Sequence, residues 1–189
     1  MRKVVVSEFM SVDGVMEAPY EWQPAFWHDD IGAYKNEELF ASDALLLGRV
    51  TYEGFASAWP TMEGTGEFGE RMNSMAKYVV STTLEQGDWT NSTIIRRDVA
   101  NEIARLKQLP GENILIGGSA DLVRSLMRDD LIDEYRLMIH PVVVGKGKRL
   151  FADASDLTSL RLVASRTFPT GVIVLTYHRA EPADASTAS

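Results

Sequence analysis

The fold is decided by residues 113–127, whose sequence is NILIGGSADLVRSLM. Three apolar residues near its start predict a short buried strand, and the apolar residues of its second half recur at helical spacing. Between them, Gly117 and Gly118 let a strand turn tightly into a helix, or let a ligand approach bare backbone. Ser119 is a suitable N-cap for the helix, whose N–H groups and positive dipole end attract anions. The stretch therefore predicts either a plain turn or a contact with an anionic cofactor.

The alternation of strand and helix extends outward from this stretch over residues 3–127. The predicted strands before it are 3–9, 44–47, 77–80 and 93–95, and the predicted helices are 32–41, a helix opening at Arg49, and 99–109. Such alternation predicts parallel strands joined by crossovers. Residues 58–69, rich in glycine and polar side chains, predict an exposed connection.

The pattern changes from residue 132. A long apolar strand region is predicted at 134–144, broken at Pro141, and a closing hairpin pairs 160–168 with 172–178. We therefore expect an α/β fold with a mixed, mostly parallel central sheet flanked by helices and a C-terminal antiparallel hairpin. Residues 1–179 predict one domain, and the small polar residues of 180–189 predict a disordered tail.

Composition excludes several classes of protein. The chain has 189 residues, no cysteine and a net charge of −8. The absence of cysteine excludes disulfides, thiolate zinc sites and a cysteine nucleophile. The negative charge argues against broad binding to nucleic acid or anionic membranes. No apolar run approaches the ~20 residues of a membrane span, so we expect a cytoplasmic protein.

Polar or flexible residues follow three other predicted strands. Asp13 follows the first strand, as either a ligand contact or a turn residue bonded to its own backbone. Gly48, Arg49 and Thr51 follow the second strand and open a helix, so they either meet a phosphate or are a solvated helix start. The hydroxyls at 81–83 follow the third strand and suit a phosphate, a ribose or a plain turn. Because parallel strands end at one edge of a sheet, these groups predict a nucleotide-sized anion site there.

An aromatic segment precedes the first long helix. Residues 19–31 contain four aromatic side chains, among them Trp22 and Trp27, which either line a pocket over a flat ring or fold back onto the core. His28 lies next to Asp29, but the other histidines are far away in the sequence. We therefore expect no metal site.

Four segments together resemble the dihydrofolate-reductase-like superfamily. They are SVDG at 11–14, GRVTYE at 48–53, IGGS at 116–119, and HPV at 140–142 continuing to GKGKRLF at 145–151. The resemblance covers about residues 3–177 and is nearest to the C-terminal reductase domain of bacterial riboflavin-biosynthesis deaminase/reductases, in a stand-alone form. It implies NADPH-dependent hydride transfer to a small heterocyclic or carbonyl substrate, and a homodimer.

The resemblance also implies roles for single residues at the phosphate and ribose end of NADPH. Gly48, Arg49 and Thr51 would meet the pyrophosphate and phosphates. Ser81 and Thr82 would lie by the adenosine ribose and its 2′-phosphate, which predicts a preference for NADPH over NADH.

At the nicotinamide end, the resemblance implies that Gly117 and Gly118 pass under the ring, often through a cis Gly-Gly bond in this superfamily. Ser119 and Ala120 would lie near the pyrophosphate. Asp13 would face the substrate and is the candidate for delivering the balancing proton.

Substrate contacts are expected from Trp22, Trp27 and Tyr52. Two other functions stay open on the sequence alone. The chain is either a nucleotide-binding regulatory module that has lost turnover, or a structural dimer module without a ligand.

Overall fold

The structure, a computed structural model, describes residues 1–151 and 157–180. Its strands are Val4–Ser11 (β1), Ser42–Gly48 (β2), Ala76–Val80 (β3), Ser92–Ile95 (β4), Asn113–Gly117 (β5), Glu134–His140 (β6), Leu160–Thr167 (β7) and Ile173–Arg179 (β8). Its α-helices are Pro19–Trp22 (α1), Asp29–Phe40 (α2), Arg49–Ala58 (α3), Gly66–Ser74 (α4), Val99–Gln108 (α5) and Ala120–Arg128 (α6). Short 3-10 turns follow α1 and α3 at Gln23–Phe26 and Trp59–Thr61.

The described strands form one eight-stranded sheet in the order β4-β3-β2-β5-β1-β6-β8-β7. The strands from β4 to β6 pair in parallel, whereas β8 pairs antiparallel with β6 and β7. The expected mixed, mostly parallel sheet with a C-terminal antiparallel hairpin is confirmed. The carboxyl ends of the parallel strands therefore meet at one edge.

That edge is stepped. The last residue pair between β1 and β5 is Ser7 with Gly117, whereas β1 and β6 remain paired as far as Ser11 with His140. The second half of β1 therefore stands beyond the point at which β5 turns into α6.

Helices cover both faces of the sheet. Since strand side chains alternate between faces, Val4 and Val6 of β1 pack with buried residues of α5 and α6, whereas Val5 packs on the other face. The second face carries Leu39 of α2 and Met72 of α4. Two apolar layers thus fix the sheet between its helices.

The start of α2 is set by a cap. His28 Nδ1 accepts a hydrogen bond from the backbone N–H of Asp30 at 3.2 Å, and two aspartates lie in the first turn, where the helix dipole favours them. The helix consequently begins three residues earlier than the predicted 32–41. His28 is occupied as a helix cap.

One prediction needs correction, and another lies almost wholly outside the described residues. The expected connection at 58–69 is not irregular throughout, because a 3-10 turn and the start of α4 fall within it, and Met72 buries that helix against the sheet. Apart from Ala180, the predicted tail lies outside the described residues. The other predicted strands and helices are present, with ends shifted by a few residues.

Candidate functional site

Two strand–helix junctions contact each other at the stepped edge. Ser119 Oγ accepts a hydrogen bond from the backbone N–H of Gly48 at 2.9 Å, which ties the β5–α6 junction to the β2–α3 junction. A Cβ added at Gly118 would lie 3.0 Å from Thr51 Cγ2, so a side chain at Gly118 would crowd the first turn of α3 and force it to shift. The sequence-predicted residues of these two junctions are therefore brought together.

The backbone of the second junction is turned by positive φ angles. Gly118 has φ 67° and Ser119 has φ 65°. Ser119 occupies the N-cap position of α6, but its hydroxyl makes no cap bond and reaches Gly48 instead. No peptide bond among the described residues is cis, so the cis Gly117–Gly118 bond implied by the resemblance is absent. Ala120, 3% exposed, begins α6.

A buried carboxyl group supports the same turn. Glu8 of β1 is 4% exposed, and its Oε2 accepts a hydrogen bond from the backbone N–H of Gly118 at 2.9 Å. Its Oε1 is buried and has no hydrogen-bond partner among the described residues. Burial raises the pKa of Glu8 well above its ordinary value of 4.5, against the opposing effects of the Gly118 bond and of Lys35. The sequence analysis did not identify Glu8 as a site residue, although an acidic residue within an apolar strand indicates a functional or structural role for its carboxyl group.

The predicted phosphate contacts differ in how accessible they are. Arg49 is exposed and its guanidinium pairs with Glu53 at 2.9 Å, an exposed i,i+4 ion pair of the kind that contributes little and can be exchanged for another anion. Ser81 is buried, and its Oγ accepts bonds from the backbone N–H groups of Thr83 and Leu84 at 3.2 and 2.9 Å. Thr82 is exposed beside it.

Asp13 links β1 to the basic turn at 145–149. Its carboxylate accepts hydrogen bonds from Ser11 Oγ at 2.7 Å and from the backbone N–H groups of Val144 and Gly145 at 3.0 and 2.9 Å. These bonds, that of the Ser11 hydroxyl first, lower the pKa of Asp13 to about 2. Asp13 is therefore ionised at neutral pH and carries no proton to deliver, which favours a role in shaping the turn.

The aromatic segment folds onto the end of β6. Trp22, Phe26 and Phe9 surround the His140 ring edge-on, with centroid distances of 5.2, 6.0 and 5.5 Å. Burial lowers the pKa of His140, so the imidazole is neutral at neutral pH. Trp27 is 49% exposed at the start of α2. Of the two predicted substrate contacts in this segment, one is therefore half-buried against His140 and the other faces solvent.

Tyr52 is placed differently from its predicted contact with substrate. It is 3% exposed, and its hydroxyl accepts hydrogen bonds from the backbone N–H of Trp89 and from Ser92 Oγ at 2.9 and 3.0 Å. Successive helix residues point about 100° apart, so when Thr51 faces Gly118, Tyr52 turns into the core. Tyr52 is a packing residue.

Two classes of feature are missing from the part of the chain that the structure describes. Within residues 1–151 and 157–180, no group of three or more His, Asp and Glu side chains is arranged to hold a metal ion. No helix in the same ranges is long and apolar enough to cross a membrane.

Comparison with known proteins agrees with this architecture. The family described as the RibD C-terminal domain matches residues 2–174. The chain belongs to this family. It is 31% identical over 183 residues to the uncharacterized protein YyaP of Bacillus subtilis (strain 168), covering 94% of this chain and 95% of that protein.

Solved structures show the fold of the family member. A candidate riboflavin biosynthesis protein from Shewanella sp. PV-4 superposes with a TM-score of 0.77 at 20% identity, covering 95% of this chain and 99% of that one. Dihydrofolate reductase from Enterococcus faecalis, complexed with NADP(H) and RAB-propyl, superposes with a TM-score of 0.61 at 16% identity, covering 95% and 97%. This RibD C-terminal domain family member therefore has the dihydrofolate-reductase-like fold.

Proposed function

We propose that this protein is an NADPH-dependent reductase that transfers a hydride to a small heterocyclic or carbonyl substrate, in the manner of a riboflavin-pathway pyrimidine reductase. The observation that carries the proposal is the contact between the two strand–helix junctions. Through the Ser119–Gly48 hydrogen bond, the N-termini of α3 and α6 open side by side. Helix N-termini bind phosphate groups well, and two together suit a pyrophosphate.

The residues at this edge fit such a cofactor. Gly118 lets the first turn of α3 pack against the β5–α6 turn, because a Cβ at this position would lie 3.0 Å from Thr51 Cγ2. The exposed Arg49 and Thr82 supply a cation and a hydroxyl for the phosphates, including the 2′-phosphate. Ser81 Oγ accepts both backbone bonds and lies 3.5 Å from Thr83 Oγ1, so its O–H can turn either to Thr83 or to a bound phosphate or ribose.

Bound NADPH would supply a hydride from C4 of its dihydronicotinamide. The task of this chain is then to hold two flat rings in contact and to exclude water. Trp22 and Trp27 are the proposed side chains on the substrate side. Asp13 is proposed to hold the 145–149 turn near the site, and the balancing proton is proposed to come from water.

The test is a cofactor titration followed by a substrate screen. Thermal shift and nucleotide fluorescence with NADPH and NADH should give a rise in melting temperature and at least tenfold tighter binding of NADPH. An unchanged melting temperature with both nucleotides at millimolar concentration would overturn the proposal. Equal affinities would overturn the 2′-phosphate assignment.

The screen follows NADPH oxidation with pyrimidine, pterin, flavin and simple carbonyl substrates. Turnover of at least one class is expected. Tight NADPH binding without turnover across the panel would instead favour a nucleotide-binding regulatory module.

We also propose a homodimer built on the C-terminal hairpin. Leu162 and Val163 of β7 are 50% and 38% exposed, and Ile173 of β8 is 37% exposed. Apolar side chains on an edge strand favour pairing with a second copy.

A further inference from the structure

Glu8 lies where strand β1, the β5–α6 turn and helix α6 meet. Along β1 it stands between Val6 and Met10, which share its face and pack into the core that includes α6. Its Oε2 reaches across to the backbone N–H of Gly118 at 2.9 Å, one residue beyond the end of β5. The carboxyl group therefore holds the turn that leads into α6.

The surroundings of Glu8 favour its neutral form. On α2, Lys35 lowers its pKa and Glu38 raises it, and both effects are smaller than that of burial. On α6, the acidic Asp121 is exposed and paired with Arg124. The neighbours of Glu8 in the sheet, Leu137 of β6 and the glycine turn after β5, carry no charge.

The neutral carboxyl has one donor to offer. Because Oε2 accepts the Gly118 N–H, the proton lies on Oε1. Oε1 is buried and lacks a partner among the described residues, and a buried donor without an acceptor is unfavourable. A ligand that brings an acceptor oxygen to the turn would satisfy it.

We propose that Glu8 binds the cofactor as a neutral acid, with Oε2 fixing the Gly118 N–H and Oε1–H donated to an oxygen of the bound nicotinamide dinucleotide. This inference rests on the proposed function and names a residue and a protonation state for it. Ionised Glu8 would lose the donor and set a negative charge beside an anionic ligand. Cofactor affinity should therefore fall with rising pH.

The first test measures the NADPH dissociation constant by fluorescence from pH 6 to pH 10 in four proteins. They are the parent, Glu8→Gln, Glu8→Met and the control Glu134→Gln, which removes a different buried carboxylate that pairs with Arg136. Gln keeps an acceptor and a donor without ionising, so Glu8→Gln should match the parent within threefold at pH 6. Glu8→Met should bind at least tenfold more weakly than Glu8→Gln at every pH.

The pH dependence decides the inference. Above the pKa of Glu8, the dissociation constant of the parent, divided by that of Glu8→Gln, should rise by up to tenfold per pH unit. Titration of the cofactor itself cancels in this ratio. Glu134→Gln should keep the pH dependence of the parent. Equal pH dependence in the parent and Glu8→Gln would overturn the inference and leave the proposed function standing.

A second readout needs no cofactor and stands if Glu8→Met does not fold. The ¹⁵N–¹H resonance of Gly118 should titrate with Glu8 in the parent and stay constant in Glu8→Gln. A Gly118 amide that does not titrate in the parent would also overturn the inference. Absence of NADPH binding by the parent at every pH would overturn the proposed function and this inference together.

Discussion

At the scale of the residue, the candidate site depends on backbone groups held by a few polar side chains. The backbone N–H of Gly48 donates a hydrogen bond to Ser119, and that of Gly118 donates one to Glu8. Asp13 accepts hydrogen bonds from two further backbone N–H groups. Each of these bonds joins segments far apart in the sequence. Single substitutions should therefore change ligand binding through the shape of a turn.

Gly118→Ala is the sharpest test of the turn, and Gly64→Ala is its matched control. Both glycines have positive φ, 67° and 72°, so both substitutions should cost about 1 kcal/mol of folding stability. Only at Gly118 would the new Cβ meet Thr51, at 3.0 Å, whereas Gly64 has no neighbour within 4 Å. We expect NADPH affinity, measured by calorimetry, to fall at least tenfold in Gly118→Ala and to stay unchanged in Gly64→Ala.

Asp13→Asn separates a structural role from proton transfer. The amide can no longer accept from both backbone N–H groups, so the melting temperature should fall. Since the pKa of Asp13 is about 2, it stays ionised at pH 5–9, and the pH–rate profile should keep its shape over that range. A limb of the profile that disappears in Asp13→Asn would restore this residue as the proton donor.

At the scale of the element, the segment between β1 and α2 is anchored on the end of β6. Trp22 and Phe26 pack against His140, whose Nδ1 contacts the carbonyl oxygen of Met138 at 3.0 Å. A charged imidazole would be poorly solvated among these rings. The packing of this segment therefore depends on a neutral histidine.

This dependence predicts a loss of stability in acid. The pKa of His140 is lowered by burial from 6.5, so below pH 6.5 the unfolded chain binds a proton that the folded chain does not. Down to the folded-state pKa, the free energy of unfolding should fall by about 1.4 kcal/mol per pH unit from this group. Urea unfolding at pH 5–8 should show this loss in the parent and a smaller one in His140→Gln. An equal pH dependence of the free energy of unfolding in the two proteins would contradict the role of His140.

Elements with clear periodicity could be predicted from the sequence, and α4 could not. The strands of the sheet are short apolar runs closed by turn residues, which is a strong local signal. In α4, Gly66 and Gly69 weaken the helical signal, and its burial comes from packing against distant residues. Tertiary contacts, rather than local sequence, therefore determine that this segment forms a helix.

Dependence on tertiary contacts also limits how much of the candidate site could be predicted from the sequence. That Gly48, Thr51, Gly118 and Ser119 meet could be predicted, because parallel strands end together. The hydrogen bond from Gly118 to Glu8 could not, since it depends on the relative length of β1 and β5.

At the scale of the whole molecule, the sheet divides into two parts. Its parallel part carries the candidate site, and its antiparallel end presents β7 with nearly every residue exposed. Apolar residues exposed on an edge strand are a liability in a monomer. The two parts predict separate tasks, ligand binding and self-association.

The proposed dimer can be tested by charging that edge. The double substitution Leu162→Asp and Val163→Asp should give a monomer in analytical ultracentrifugation, because it replaces two exposed apolar side chains of β7 with carboxylates. Met62→Asp is the control, since Met62 is 47% exposed outside the hairpin. A dimer that survives the double substitution would place the interface elsewhere.

The stepped edge of the sheet has a consequence for how this protein could acquire new substrates. Where β5 stops at Gly117 and β1 continues to Ser11, the glycine turn offers backbone groups, whose chemistry does not depend on the identity of the residue. The proposed substrate contacts Trp22 and Trp27 lie in the aromatic segment between β1 and α2, where the contact is made by side chains and Trp27 is 49% exposed. Laboratory evolution toward a new substrate should therefore collect its changes in that segment and leave the glycine turn untouched.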